Sequence, residues 1–209
     1  RDLHSFPTRR SSDLNAARSH FAARVIDENH IAFSELHIDK DIFAFDTKVG
    51  TEDRQTFEGQ NAFPIWSSAT GVLAFRSDRS GTQRIYISNG LNSKNSSLLT
   101  EGPNDTPSSW THDGKELAFT RGANIFVVSV DKPNESRLIV KNARFPEFSP
   151  DGNWLAYCST ESGVSQLYVM PYPGPGKSVT VTNEASTNAF GVQEPAWSRH
   201  SKELFYRSG

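Results

Sequence analysis

FPEFSPDGNWLAYCS, residues 145–159, is one of four copies of a single phrase. The others are FPIWSSATGVLAFRS (63–77), TPSSWTHDGKELAFT (106–120) and EPAWSRHSKELFYRS (194–208). Each copy places a proline two or three residues ahead of an aromatic: Pro64 and Trp66, Pro107 and Trp110, Pro146 and Phe148, Pro195 and Trp197. Seven residues beyond the aromatic stands Leu73, Leu117, Leu155 or Leu204. A weaker fifth copy begins at Ile31-Ala32-Phe33. The unit recurs about every 38–49 residues, the length of a four-stranded propeller blade.

Within each copy the order is constant. The Leu-Ala-aromatic strand is followed by a polar turn and a second strand: Ile42-Phe43-Ala44-Phe45, Ile85-Tyr86-Ile87, Ile125-Phe126-Val127-Val128 and Leu167-Tyr168-Val169. A variable loop and a short closing strand come next, such as Leu98-Leu99-Thr100 or Val179-Thr180-Val181-Thr182. Short strands separated by turn signals mean an all-β fold, and the fixed repeat selects a propeller. The expected blades lie near 23–57, 58–100, 101–140 and 141–182, with an incomplete one at 190–209. The predicted fold class is a partial β-propeller of four-stranded antiparallel blades.

Turn chemistry agrees. In Ser149-Pro150-Asp151-Gly152, proline presets φ, Asp151 bonds nearby backbone and Gly152 accepts positive φ. His112-Asp113-Gly114 is the same device without proline. At the glycine position the second blade has Thr70 and the last has Ser201. Positive φ is costly for a β-branched residue, so a different hairpin loop using Gly71 is predicted there.

The repeated aromatics Trp66, Trp110, Phe148 and Trp197 read as packing residues rather than a ligand platform. Burying a tryptophan hides roughly 150–250 Å², worth up to about 4–6 kcal/mol. A blade cannot cover its two faces alone. Trp154 lies outside the motif position and is expected to be partly exposed.

The stretch 145–169 resembles the WD40-like repeat of the TolB propeller family, roughly P-x-W-S-P-D-G-K-x-I-A-F-x-S-x-x-x-G-x-x-Q-I-Y-V. Pro146, Phe148, Ser149, Pro150, Asp151, Gly152, Leu155, Ala156, Tyr157, Ser159, Gly163, Gln166, Leu167 and Tyr168 carry the match. Residues 63–87 repeat it through Trp66, Ser67, Leu73, Ala74, Phe75, Ser77, Gly81, Ile85 and Tyr86. The resemblance covers nearly all of 23–209. It implies a ring usually closed by six blades, of which about four stand here, so truncation at both ends is expected. It also implies a bacterial protein-binding module, periplasmic or extracytoplasmic. LYVMPYPGPG (167–176) and the 194–208 copy further resemble propellers attached to serine/threonine kinase domains, and similar blades precede prolyl-oligopeptidase-type hydrolases. The alternative reading is therefore the sensor or gating propeller of a larger enzyme.

The opening RDLHSFPTRRSSDL, residues 1–14, matches the translation of a short-read sequencing adapter residue for residue. It reads as a non-native, disordered leader and is set aside, leaving 15–209 as the propeller. The net charge of −2 becomes −3 without it, with 19 basic and 22 acidic residues remaining. That argues against nucleic acid as a partner, which needs clustered Lys and Arg. No apolar run approaches a membrane span, so direct membrane insertion is not expected. Cys158, the single cysteine, allows no intrachain disulfide and reads as a small buried hydrophobe.

Catalytic motifs are missing from the sequence. It has no Gly-x-Ser-x-Gly elbow, kinase motif, Walker loop or His-Glu-x-x-His. His112 and His200 fall in repeat turns. Asp39, Asp41 and Asp46 lack the spacing of a calcium loop and read as a solvated strand edge. No catalytic, cofactor or metal residue is assigned. The singled-out positions are structural: Trp66, Trp110, Phe148, Trp197, Asp113, Gly114, Asp151 and Gly152.

Overall fold

The computed structural model describes residues 19–27, 30–36, 40–46, 48–93, 95–182 and 192–208, with side chains from Lys40 onward. The adapter-like stretch 1–14 lies outside them. All eighteen described elements are strands.

Alternation along one strand explains the architecture. In β6 (Val72–Ser77), Val72 and Ala74 face one way into a core with Trp110, Leu117 and Phe119, while Leu73 and Phe75 face the other, against Ile42 and Tyr86. In β10 (Glu116–Arg121), Leu117 and Phe119 face back and Ala118 faces forward, onto Phe148, Leu155 and Tyr157. In β14 (Trp154–Ser159), Leu155 and Tyr157 face back while Ala156 and Cys158 meet Val192, with Trp197 and Leu204 alongside. A strand whose two faces are both apolar must sit between two other sheets. In these three strands the leucine of the repeat thus covers the preceding side, and the following alanine meets the next sheet.

Three sheets are complete four-stranded antiparallel meanders in chain order. The first joins β5 (Asn61–Trp66), β6, β7 (Arg84–Asn89) and β8 (Ser96–Leu98). The second joins β9 (Asp105–Trp110), β10, β11 (Asn124–Ser129) and β12 (Arg137–Lys141). The third joins β13 (Ala143–Phe148), β14, β15 (Gln166–Pro171) and β16 (Val179–Thr180). A final pair, β17 (Val192–Trp197) and β18 (Leu204–Ser208), forms a hairpin. The innermost strands β5, β9, β13 and β17 stand side by side in that order. This is propeller blade packing.

Two compact units divide the chain, Arg1–Asp39 and Lys40–Gly209. In the first, β1 (Ser19–Asp27) pairs with β2 (His30–Leu36); in the second, β3 (Phe43–Asp46) pairs with β4 (Thr51–Arg54) as a two-stranded sheet. Local turn chemistry closes the second hairpin: Asp46 Oδ1 accepts from the amides of Lys48 and Val49, and Gly50 takes φ +78°. Closing strands are also shorter than expected, since Leu99 and Thr100 lie beyond β8 and Val181 and Thr182 beyond β16.

Three of the innermost strands carry a bulge where their proline lies. The register shifts between Ala62 and Ile65, between Arg144 and Glu147, and between Gln193 and Ala196. Proline has no amide to lose from the ladder there. The residue before it takes a left-handed backbone in three blades: Phe63 (φ +54°), Phe145 (+55°) and Glu194 (+53°). In β9 the proline sits one residue earlier relative to the tryptophan, and Pro107 stays in register opposite Phe119.

Candidate functional site

The turns that follow the innermost strands gather at one end of the stack. Ser149 Oγ accepts from the Trp154 amide at 2.9 Å and donates to Asp151 at 2.5 Å, while Asp151 accepts from the Asn153 amide at 3.1 Å. Thr111 and Asp113 repeat this at 2.7 Å, with the Lys115 amide donating to Asp113 at 3.1 Å. These bonds, the hydroxyl's first, hold both aspartates below the usual carboxylate range. Gly114 and Gly152 take φ +69° and +77°. Ser201 adopts the same conformation at φ +54°, its amide donating to the Ser198 carbonyl. The Thr70 turn has the same length but closes one residue later, with the Gly71 amide donating to the Ser67 carbonyl and Gly71 at φ +69°, as its sequence anticipates.

Neighbouring turns touch. A Cβ on Gly114 would lie 2.4 Å from Ser67 Oγ and 2.8 Å from Thr70 Cγ2, in the preceding turn. One on Gly152 would lie 3.2 Å from His112 Cβ. The Asp151 amide donates to Ser201 Oγ of the following turn at 3.0 Å.

Inside this ring of turns lies a pocket of about 680 Å³. Its walls are the ends of β5, β9 and β13 and the turns that follow them, and Arg199 reaches it from the turn after β17. Ser108, Ser109, Trp110, His112 and Glu147 are among its lining. Glu147 is the unusual member. Burial pushes its carboxyl up to about 7, against an opposing hydrogen bond from the Ser109 side chain. Ser109 Oγ also accepts from the Phe148 amide at 3.1 Å. The Glu147 main-chain carbonyl accepts from Trp197 Nε1 at 3.1 Å, which anchors that stretch of β13 from the next sheet.

The repeat aromatics fall into graded environments. Trp110 and Phe148 are buried and Trp197 is half-buried, but Trp66 is 44% exposed and lines the pocket. Equal packing of all four is not realised. Trp110, Phe148 and Trp197 each join a core with the sheet before theirs, whereas Trp66 belongs to none of the described cores. Trp154 is 40% exposed.

Other candidates lie elsewhere. Cys158 is buried, its thiol pushed up to about 12 by desolvation. His112 and His200 are exposed in their turns. Asp41 is not a solvated edge: it pairs with Arg54 and accepts from the Thr56 hydroxyl at 2.9 Å and Asn61 Nδ2 at 3.2 Å. Asp46 is exposed, and Asp39 lies outside the described residues. Among the described residues no three His, Cys, Asp or Glu side chains group to hold a metal, and no helix is long and apolar enough to cross a membrane.

Sequence reading missed Glu147. A signal existed. The residue before the motif aromatic is Ile65, Ser109 or Ala196 in the other copies, so Glu147 is the one charge at that position.

The fold is that of the TolB propeller. A TolB protein of Agrobacterium tumefaciens superposes with a TM-score of 0.67 at 16% identity, covering 84% of this chain and 64% of that one. TolB of Acinetobacter baumannii gives 0.65 at 18% identity, over 79% and 42%. The tricorn protease gives 0.59 at 17% identity, over 90% and 18%. In sequence, 86 residues are 31% identical to a tricorn protease homologue of Streptomyces coelicolor, 39% of this chain and 7% of that protein. The chain spans less than two thirds of each of these proteins. No protein-family model matches it.

Proposed function

We propose that this chain is a non-catalytic propeller module that binds a protein or peptide ligand in the pocket at the turn end of its innermost strands. The observation that carries the reading is the pocket itself. At about 680 Å³ it lies within the size range of ligand sites, and it is walled by rigid strands with a few convergent polar groups. Function in a propeller resides in such grafted sites rather than in the fold. The likeness to TolB supports a bacterial extracytoplasmic setting.

The test is selection of peptides from a random displayed library against the full chain, followed by Ser108→Trp, which fills the pocket from β9. Selected peptides should lose at least tenfold in affinity for this variant. Peptides that bind it unchanged would place recognition elsewhere and overturn the reading.

A second reading has its own support. The 86-residue match to a tricorn protease homologue favours a propeller that gates or senses for a catalytic domain in the same polypeptide. Reading the native gene through both ends of this chain tests it. A kinase or peptidase domain in frame supports it, and flanks without one contradict it.

A further inference from the structure

Glu147 is a pocket carboxylate with no counter-charge. Among the described residues no basic side chain forms an ion pair with it. β13 is packed by β9, β10, β11, β14 and β17. From these strands and their turns, the titratable groups that reach the pocket are His112 and Arg199, and neither forms an ion pair with Glu147. Glu147 is half-buried, and a carboxylate drawn out of water without a partner is costly to keep. Elsewhere this protein supplies partners: Asp105 is gripped by Arg121 at 2.7 Å and Glu116 by Arg137 at 3.0 Å.

We infer that Glu147 is the recognition group for a cationic side chain of the bound ligand, the ammonium of a lysine or the guanidinium of an arginine in a peptide segment. This rests on the reading of the pocket as a peptide site. Three features argue for it. The carboxylate faces a cavity large enough for such a side chain. The backbone beneath it is pinned by Trp197 and by the Ser109–Phe148 bond, so the group is held in place before a ligand arrives. Its charge stands where the other repeats carry none.

A regulatory consequence follows from the burial. With Glu147 ionising near pH 7, its carboxyl is charged at pH 8.5 and largely neutral at pH 5.5. If only the ionised form binds, affinity scales with the ionised fraction and falls about 30-fold between those two pH values. The Glu147 share of any pH response is isolated by substitution.

The experiment is a titration of the full chain, followed by amide chemical shifts of Ser109, Glu147 and Phe148. The probes are three blocked tripeptides, acetyl-Ala-Lys-Ala-amide and its Gln and Glu counterparts. The lysine peptide should shift these amides at pH 8.5, bind at least tenfold more tightly than the glutamine peptide, and weaken about 30-fold by pH 5.5. Glu147→Gln should abolish the preference and flatten the pH response. As a check that needs no variant, the Glu147 carboxyl resonance should titrate at lower pH when the lysine peptide is bound. If the glutamine or glutamate peptide binds as well as the lysine one, the cation inference fails while the peptide site stands. If Glu147→Gln keeps both the preference and the pH response, the inference likewise fails. If none of the three moves these amides, both readings fall.

Discussion

The indole nitrogen of Trp110 donates to the main-chain carbonyl of Ile65, 3.1 Å away in the preceding sheet. Ile65 is the residue just before that sheet's own motif aromatic. Trp197 makes the equivalent bond to Glu147, just before Phe148. Where Phe148 replaces tryptophan and has no donor, Ser109 Oγ bridges instead to the Phe148 amide. Each innermost strand is thus tied to the next at one repeated place. The ties run along the pocket wall, so sheet packing and site geometry rest on the same bonds.

Trp110→Phe keeps much of the ring but removes the bond to the Ile65 carbonyl. Loss of one such hydrogen bond costs about 0.5–1.5 kcal/mol, and Trp110→Ala should cost about 3–5 kcal/mol. Urea midpoints of the full chain check both values.

Gly114→Ala should destabilise far more than Gly122→Ala. Both glycines have positive φ, +69° and +61°, so the backbone penalty is shared. Only the Gly114 methyl would strike the preceding turn, at Ser67 and Thr70, whereas Gly122 opens onto empty space. A difference of about 2 kcal/mol between the variants is expected from this overpacking.

Asp105→Ala should cost about 1–3 kcal/mol, because it removes both bonds to Arg121 and leaves that partly exposed guanidinium without its carboxylate. The Asp105 side chain is fully buried and grips Arg121 through two 2.7 Å bonds, while that guanidinium also lies over Phe119 and Phe126. Asp105→Asn should cost less, since it keeps the shape and one acceptor. Thermal unfolding ranks the two.

Acid should weaken the turns. Asp113 and Asp151 have folded pKa values below their ordinary 3.8, so their contribution is present above that value and is lost as pH falls through the lower folded one. The doubly substituted Asp113→Asn, Asp151→Asn chain should be less stable than the parent at pH 6, with the gap narrowing below pH 3.8. Glu147 runs the other way. Its raised folded value means that stability is lost as pH rises from about 4.5 towards 7. Glu147→Gln should therefore stabilise the chain at pH 8.5, by on the order of 1–2 kcal/mol, and change little at pH 4.

Much of the blade was legible because its physics is periodic. Leu73, Leu117, Leu155 and Leu204 hold a constant offset since each must reach back to the preceding sheet, and Gly71 betrayed the different turn because Thr70 resists positive φ. The bulge residues were not legible. Phe63 and Phe145 precede proline, where extended backbone is the rule, and their left-handed φ emerges only from the register of the whole sheet. Glu147 was hidden for another reason: a single charge among variable positions looks fully solvated, and its own repeat does not show that neighbouring strands wall a pocket around it. Trp66 matches Trp110 in sequence and differs in exposure because packing depends on the sheet before it, which the local motif does not encode.

The most direct test of the stacked-sheet account is the hydrogen exchange of the four indole N–H groups, followed by NMR. Trp110 and Trp197, bonded to carbonyls of the preceding sheets, should exchange at least a hundredfold more slowly than Trp66 and Trp154, which are 44% and 40% exposed. Four indoles exchanging at one common rate would contradict it.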